Sequence, residues 1–475
     1  MRAAWCLLVL VLGCARTFPL CRDEACVLAE LVDSGSPSPA RDGGFAAQVA
    51  YLKSQNTEAG DAFGEALALS GDGTTLAVGA PGEDSRSQGN PFDNRASASG
   101  AVSVFSRREG VWSAQAFLKA PTPRQGDHFG HRLSLSRDGN VLAVSAVDES
   151  SDSVGIDRPQ VNARAPSSGA VFIFTRKGTA WAQTAYVKAS NTGANDAFGA
   201  SVSLSADGTV LVVGAPGEAS DAIGPGSDQF NDRAPGRGAA YLFRRDAMGW
   251  LQTNYLKSRQ ADVTGFGSSL ALSANASTLV VQSAGDAGVI AAVGMAMLDE
   301  QGSTRTQTGF RSAAIDAEGG RVASSEVTDV LGRVTVYQRG PPWRVDEALP
   351  ARSAPEFGTS LALSADGQVL VVGHPGDASR ATGVDGDQSD TSRPRSGAVR
   401  VFVRRRGVLE AHAYVKPVNT GAGDAFGSSV AVSDDGTVLV VGAPGEASAA
   451  LGVGGTPFND SAPNAGAVYS FSIER

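Results

Sequence analysis

The chain is poor in histidine and cysteine, with four of each in 475 residues, and all four cysteines lie before residue 27. A zinc centre of Cys and His in the body of the protein is thereby excluded. Positive charge is also in deficit. Lys and Arg number 40 against 49 Asp and Glu, giving a net charge of −9 and a pI near 5.1. A protein whose main partner is nucleic acid needs a basic face, so that class is excluded too. Apolar runs long enough to cross a membrane are missing: Trp5 to Gly13 is about nine residues, a membrane-spanning helix needs about 20, and no later segment is apolar enough. Aromatic residues are 7% and charged residues 19%, yet 42% hydrophobic content is enough for a core and excludes bulk disorder. What the chain has in excess is glycine, 58 residues or about 12%, against a usual figure near 7%. The length suits about three ordinary domains or one large repeat array.

The first 14 residues read as an export signal, Met1-Arg2 followed by the short apolar run. Val11-Leu12-Gly13-Cys14 resembles a bacterial lipobox, which makes Cys14 the expected lipidation site. The alternative is cleavage after Ala15 and free secretion. The expected location is the bacterial outer membrane or cell surface. Cys21 and Cys26 are left over in an exported chain and are expected to pair. Residues 15–45, with Ser-Gly-Ser-Pro-Ser-Pro at 34–39, read as a tether.

From residue 46 to 475 the sequence repeats itself. Phe-Gly occurs at 63, 129, 198, 266, 357 and 426, with spacings of 66, 69, 68, 91 and 69. The long gap holds a worn copy, in which Phe310 to Ala323 aligns with Phe357 to Leu370. Seven copies of about 61 residues result. Each full copy has four strand-like parts. In the first copy, Phe63 to Ser70 alternates apolar and polar residues, Asp72-Gly73 supplies a hairpin turn, and Thr75 to Ala80 follows. After a long polar loop come Gly100 to Phe105 and a strand opened by Trp112. Trp181, Trp250 and Trp343 open the equivalent strands.

Four antiparallel strands repeated seven times predict an all-β fold, a seven-bladed β-propeller. The last copy stops after its third strand, at Ser472. The first is preceded by an orphan, Ala46 to Lys53, that matches fourth strands elsewhere. The N-terminal strand is therefore expected to complete the last blade and remove free edges.

The motifs also resemble a known family. Phe-Gly followed by Gly-Ala-Pro is similar to the FG-GAP repeats of the integrin α-chain propeller and of bacterial surface proteins. The pair stands here as Phe63-Gly64 with Gly79-Ala80-Pro81, Phe198-Gly199 with Gly214-Ala215-Pro216, and Phe426-Gly427 with Gly442-Ala443-Pro444. The copies at 266 and 310 lack Gly-Ala-Pro. Integrin-type repeats carry Asp-rich calcium loops between the first two strands. Here that turn is only Ser-x-Asp-Gly, as in Ser205-Ala-Asp207-Gly208, too short for the six to eight oxygens that calcium takes. Asp207 and its counterparts are read as turn residues.

In such a blade the loops between strands 2 and 3 share a face with the connections between blades. Summed over five long 2–3 loops and four connections, that face carries about −12. The long loops resemble one another. Asp228, Asn231 and Asp232 of one, Asn459 and Asp460 of another, and Asp385, Asp387 and Asp390 of the most acidic one alternate oxygen side chains with glycine. That pattern suits Ca²⁺ as a candidate ligand, and equally suits turn-building by local hydrogen bonds. The worn copies, 266–309 and 310–356, have no long loop, so the loop crown is expected to dip there.

No nucleophile constellation is visible, and His128 and His131 flank a repeat glycine. The expected function is non-enzymatic: a monomeric cell-surface adhesion or recognition module that binds protein or polysaccharide on the acidic loop face. Two alternatives stand beside it. One is a glycan hydrolase or lyase with its site on the same face, and the other is a structural envelope component.

Overall fold

A computed structural model describes residues 48–474 except 88, 161, 225–227, 261–262, 284–288, 294–297, 301–308, 328–331, 341–342 and 350–355; side chains from 284 to 310 are not described. The export signal, the tether, Cys14, Cys21 and Cys26 lie outside the described residues.

The described residues form seven four-stranded antiparallel sheets. Sheet 1 is the meander Ala66–Leu69, Thr75–Ala80, Ala101–Arg108 and Val111–Leu118. Sheets 2 and 3 run from Phe129–Leu135 to Ala180–Val187 and from Ser201–Leu204 to Gly249–Leu256. Sheets 4, 5 and 6 begin with Ser269–Leu272, Gly309–Ile315 and Leu361–Leu363. In sheet 4 the outer two strands, Val289–Val293 and Leu298–Glu300, are described as backbone only. Sheet 7 takes Ser429–Val432, Val438–Ala443 and Ala467–Ser472, and its outer strand is Gln48–Leu52, with Tyr51 opposite Tyr469 and Leu52 opposite Val468. First strands of successive sheets pack on one another. The architecture is an all-β propeller of four-stranded antiparallel blades.

The Phe-Gly and Gly-Ala-Pro motifs form the joint between neighbouring sheets. Phe63, Phe129, Phe198, Phe266, Phe357 and Phe426 are all buried. Gly64 has φ +94°, where an L side chain is strained. Its carbonyl oxygen fits where Gly442 of sheet 7 has no side chain, since a Cβ there would lie 2.1 Å from it. The same slot recurs between Gly214 and Gly267 at 1.9 Å and between Gly373 and Gly427 at 2.1 Å. A serine closes the joint: Ser429, Ser201 and Ser360 Oγ donate to the carbonyls of Gly64, Gly267 and Gly427 at 2.6, 2.7 and 2.8 Å.

At the opposite end, the Ser-x-Asp-Gly turns are held locally. Ser205 Oγ donates to Asp207 Oδ1 at 2.5 Å and accepts from the Val210 amide at 2.9 Å. Backbone hydrogen bonds link these turns from sheet to sheet: Gly71 to Arg137, Arg137 to Ala206, Ala206 to Ala274, Ala317 to Ala365, Ala365 to Asp434, and Asp434 back to Gly71.

One register differs from the sequence reading. The Gly319 amide donates to the Asp316 carbonyl as the Gly367 amide does to Ser364. Asp316 is thus the counterpart of Ser364, while Phe310 stands opposite Glu326 as Phe129 stands opposite Ala146, so this copy has one residue fewer between its signature and its turn.

Candidate functional site

Five fourth strands end in lysine, and the loop after each second strand opens with Glu or Asp. The fold brings the two together inside the same sheet. Lys119 Nζ donates to Glu83 at 2.7 Å, Lys257 to Glu218 at 2.7 Å, Lys53 to Glu446 at 2.9 Å and Lys188 to Glu149 at 2.9 Å; Lys416 stands 3.5 Å from Asp377. All five lysines are buried. Burial pushes each ammonium below its usual pKa, Lys416 to about 8, while the facing carboxylate pulls the other way. Serines complete the shell. Lys119, Lys188 and Lys416 donate to Ser99, Ser168 and Ser396 Oγ at 2.8, 2.7 and 2.7 Å.

A second set of carboxyls is buried nearby. Asp61, Asp127, Asp196 and Asp424 each accept a backbone N–H three residues back, from Glu58, Arg124, Gly193 and Gly421. Burial nonetheless raises them, Asp61, Asp127 and Asp424 to about 7 and Asp196 to about 6. This corrects the reading of an acidic loop face. Eight of the carboxylates in that sum are inside the protein, and without them the same loops carry only about −4.

Asparagines tie this buried layer to the loop tips. Asn56 Nδ2 donates to Glu83 at 2.8 Å and to the Pro91 carbonyl at 2.8 Å. Asn191 bridges Glu218 and the Gln229 carbonyl at 2.9 and 2.8 Å. Asn419 bridges Glu446 and the Pro457 carbonyl at 3.1 and 3.0 Å. The next residue is in every case a phenylalanine held out in solvent: Phe92, Phe230 and Phe458 are 65, 74 and 69% exposed. Sheet 6 has Ser389 at that position, and Val161 of sheet 2 lies outside the described residues.

Most loop residues singled out as cation candidates are engaged within their own loops, and Asp385 is held by the neighbouring fourth strand. Asp228 accepts the Phe230 amide at 2.9 Å, and Asn231 accepts the Asp221 and Arg233 amides. Asp385 accepts the Tyr414 amide at 2.8 Å, Asp387 the Ser389 amide and Asp390 the Ser392 amide. The Asn459 carbonyl accepts the Ala449 amide. Asp232 and Asp460 act at a distance, their charges helping to raise Asp196 and Asp424. Among the described residues no three His, Cys, Asp or Glu side chains converge as a metal-binding group.

At the axis, on the loop side, the first strands enclose a polar pocket of about 520 Å³. Its charged walls are Glu65, Arg132, Arg311, Glu356 and Arg395, set among serine and threonine hydroxyls. Arg395 pairs with Glu356. Arg132 lies 3.9 Å from Glu65, and both side chains are open to the cavity at 42 and 37% exposure.

The FG-GAP repeat family model matches residues 47–105 and 181–243. Those segments hold the Phe63 and Tyr241 cores and two of the three phenylalanine tips or their supports. This chain is an FG-GAP repeat β-propeller. No curated protein matches it. Among solved structures, a chain of Kuenenia stuttgartiensis hydrazine synthase is similar at 14% identity and a TM-score of 0.48, covering 82% of this chain and 94% of that chain. A likeness at that level carries nothing about activity.

Within the FG-GAP propeller the histidines separate. His128 Nδ1 is 2.7 Å from Asp148 Oδ2. His131 Nδ1 is buried without a hydrogen-bond partner, and burial, with Arg132 beside it, pushes that ring down to about 3. His374 reaches Asp377 at 3.5 Å and so belongs to the lysine cluster of sheet 6. Sequence reasoning overlooked the buried lysines and the asparagines. The signal was present: Ala-Pro-Gly-Glu recurs at 80–83, 215–218 and 443–446, each paired with a strand-ending lysine.

Proposed function

We propose that the FG-GAP propeller is a non-enzymatic binding module that recognises a protein or polysaccharide on its loop face. The observation that carries this is the mounting of Phe92, Phe230 and Phe458. Each is exposed at the same place in its loop, and each follows a carbonyl tied through an asparagine to a Lys–Glu pair. Exposed apolar groups on rigid mounts suit recognition, because little entropy is lost when a partner covers them. The full chain and the triple variant Phe92→Ser, Phe230→Ser, Phe458→Ser should be compared on arrays of surface polysaccharides and purified secreted proteins. Ligands held by the full chain should be lost by the variant at unchanged melting temperature. Equal binding by both would remove the loop tips from the function.

The ring is proposed to have seven blades closed by Gln48–Leu52, a reading supported by the hydrogen bond from Asp434 to Gly71 and by the pairing of first and last strands. The protein is proposed to be exported as a monomer, lipidated at Cys14, with a Cys21–Cys26 disulfide in its tether. The loop carboxylates are assigned to turn-building, with calcium as the alternative. Melting with millimolar calcium and then with chelator should give superimposable curves, and a calcium-dependent rise would turn Asp228, Asp387 and their neighbours into metal ligands.

A glycan hydrolase or lyase is a second reading. It is favoured by the polar axial pocket, where Glu65 and Glu356 supply carboxylates. Turnover of a glycan that disappears in both Glu65→Gln and Glu356→Gln variants would establish it.

A further inference from the structure

At the mouth of the axis the repeat holds small side chains. Two residues after the repeat glycine, six of the seven copies carry Ala or Ser, as at Ala66 and Ser201; sheet 2 carries Arg132. One residue earlier, sheet 5 carries Arg311 where sheet 6 has Thr359 and sheet 7 Ser428. Both guanidinium groups line the axial pocket. Neither is needed by the joints, which serine closes elsewhere.

Their hydrogen-bonding capacity is mostly unspent. Arg132 uses Nη1 on the His131 carbonyl at 2.8 Å, and its nearest carboxylate, Glu65, is 3.9 Å away. Arg311 has no hydrogen-bond or ion-pair partner among the described residues. Each guanidinium has five donors in a planar fork that matches a carboxylate. Sheets 2 and 5 are not neighbours, so the two cations reach the pocket from different walls. Arg395 is different, being committed to Glu356. Around the arginines, Ser268, Ser312, Thr359 and Ser428 present hydroxyls. A volume of about 520 Å³ falls within the range of about 300–1,000 Å³ typical of small-molecule sites. A cleft of this kind concentrates the field of its uncompensated charges.

We propose that the axial pocket binds a small polyhydroxylated carboxylate, a sugar acid, with the carboxylate on Arg132 and Arg311 and the hydroxyls on the surrounding serines and threonines. A charge-assisted bidentate contact supplies orientation as well as attraction. Glu65 opposes the ligand's charge and holds Arg132 loosely, so neutralising it favours binding. The site stands apart from the phenylalanine tips: one is axial and the other at the loop ends, and each is tested by its own variants.

The test is calorimetric titration of the full chain with galacturonic acid, trigalacturonic acid, glucose and inorganic phosphate. The acids should bind at least tenfold more tightly than glucose or phosphate. Arg132→Ser and Arg311→Thr install residues that other copies carry at these positions, so the fold is not at stake, and melting curves check this. Each should weaken acid binding at least tenfold, while Glu65→Gln should strengthen it. Equal affinity for monomer and trimer assigns the site to a free sugar acid, and tighter trimer binding assigns it to the end of a polymer. Absence of binding at millimolar acid, phosphate binding as tightly as the acids, or arginine variants that bind as the parent does would each overturn the proposal.

Discussion

Asp61, Asp127, Asp196 and Asp424 stand two residues before the signature phenylalanine, and the residue between them has positive φ, 54° or 55° at Ala62, His128, Ala197 and Ala425. The carboxyl that accepts the N–H three residues back holds that bend, at the cost of being buried. Its folded pKa is raised to about 6–7. A raised carboxyl retains in the folded ring a proton that the unfolded chain has released. Its stabilising contribution is complete below the ordinary carboxylate range, and it is lost as pH rises through about 6–7. The buried lysines bear on higher pH, with Lys416 near 8. Melting temperature should therefore fall between pH 5 and pH 7.5. Asn at position 424 stays neutral and can still accept the Gly421 amide. Asp424→Asn should leave the pH 5 value nearly unchanged and raise the pH 7.5 value by a few degrees. Parallel pH profiles for parent and variant would place the carboxyl outside the bend's energetics.

At the scale of the element, the joint between sheets depends on a missing side chain. A Cβ on Gly214 would lie 1.9 Å from the Gly267 carbonyl oxygen and 2.4 Å from Ser201 Oγ, so backbone must move to admit it. Gly214→Ala should cost about 1–3 kcal/mol in chemical denaturation. Sheet 2 already has Ser145 at this position, where its Oγ accepts the Arg132 amide at 2.9 Å. Ser145→Gly should cost less than Gly214→Ala, and the reverse order would mean that the close approach is not what fixes the joint. The strands and turns were legible in the sequence because period-two alternation, Asp-Gly turns and a repeated signature all agree. The register of sheet 5 was not, because one residue is missing between its signature and its turn. The site was legible only in part. The loop resemblance singled out Asp228, Asn231 and Asn459 rather than the phenylalanines beside them, and charge summation counted Glu83 and Glu218 as surface. A lysine ending a strand reads as solvent-facing until a carboxylate from the neighbouring loop is found above it.

Across the whole molecule, sheet 7 joins the two ends of the folded chain, with Gln48–Leu52 beside Ala467–Ser472 and Lys53 buried on Glu446. Removing residues 1–45 should leave the melting temperature where it is. Removing residues 1–53 exposes the Ala467–Ser472 edge and leaves Glu446 buried without its cation, so the chain should melt lower and associate in light scattering. A shorter chain that melts as the full one does would mean that sheet 7 stands without its outer strand.

That outer strand is also where mechanical load enters. Everything N-terminal to Gln48 joins the folded sheets through it, so a pull on the N-terminus is borne first by a five-residue strand and one buried ion pair. The remaining sheets, each a continuous meander, feel the force only after that strand has peeled away. The weakest link under tension is thus set by connectivity, whatever the thermal stability of the blades.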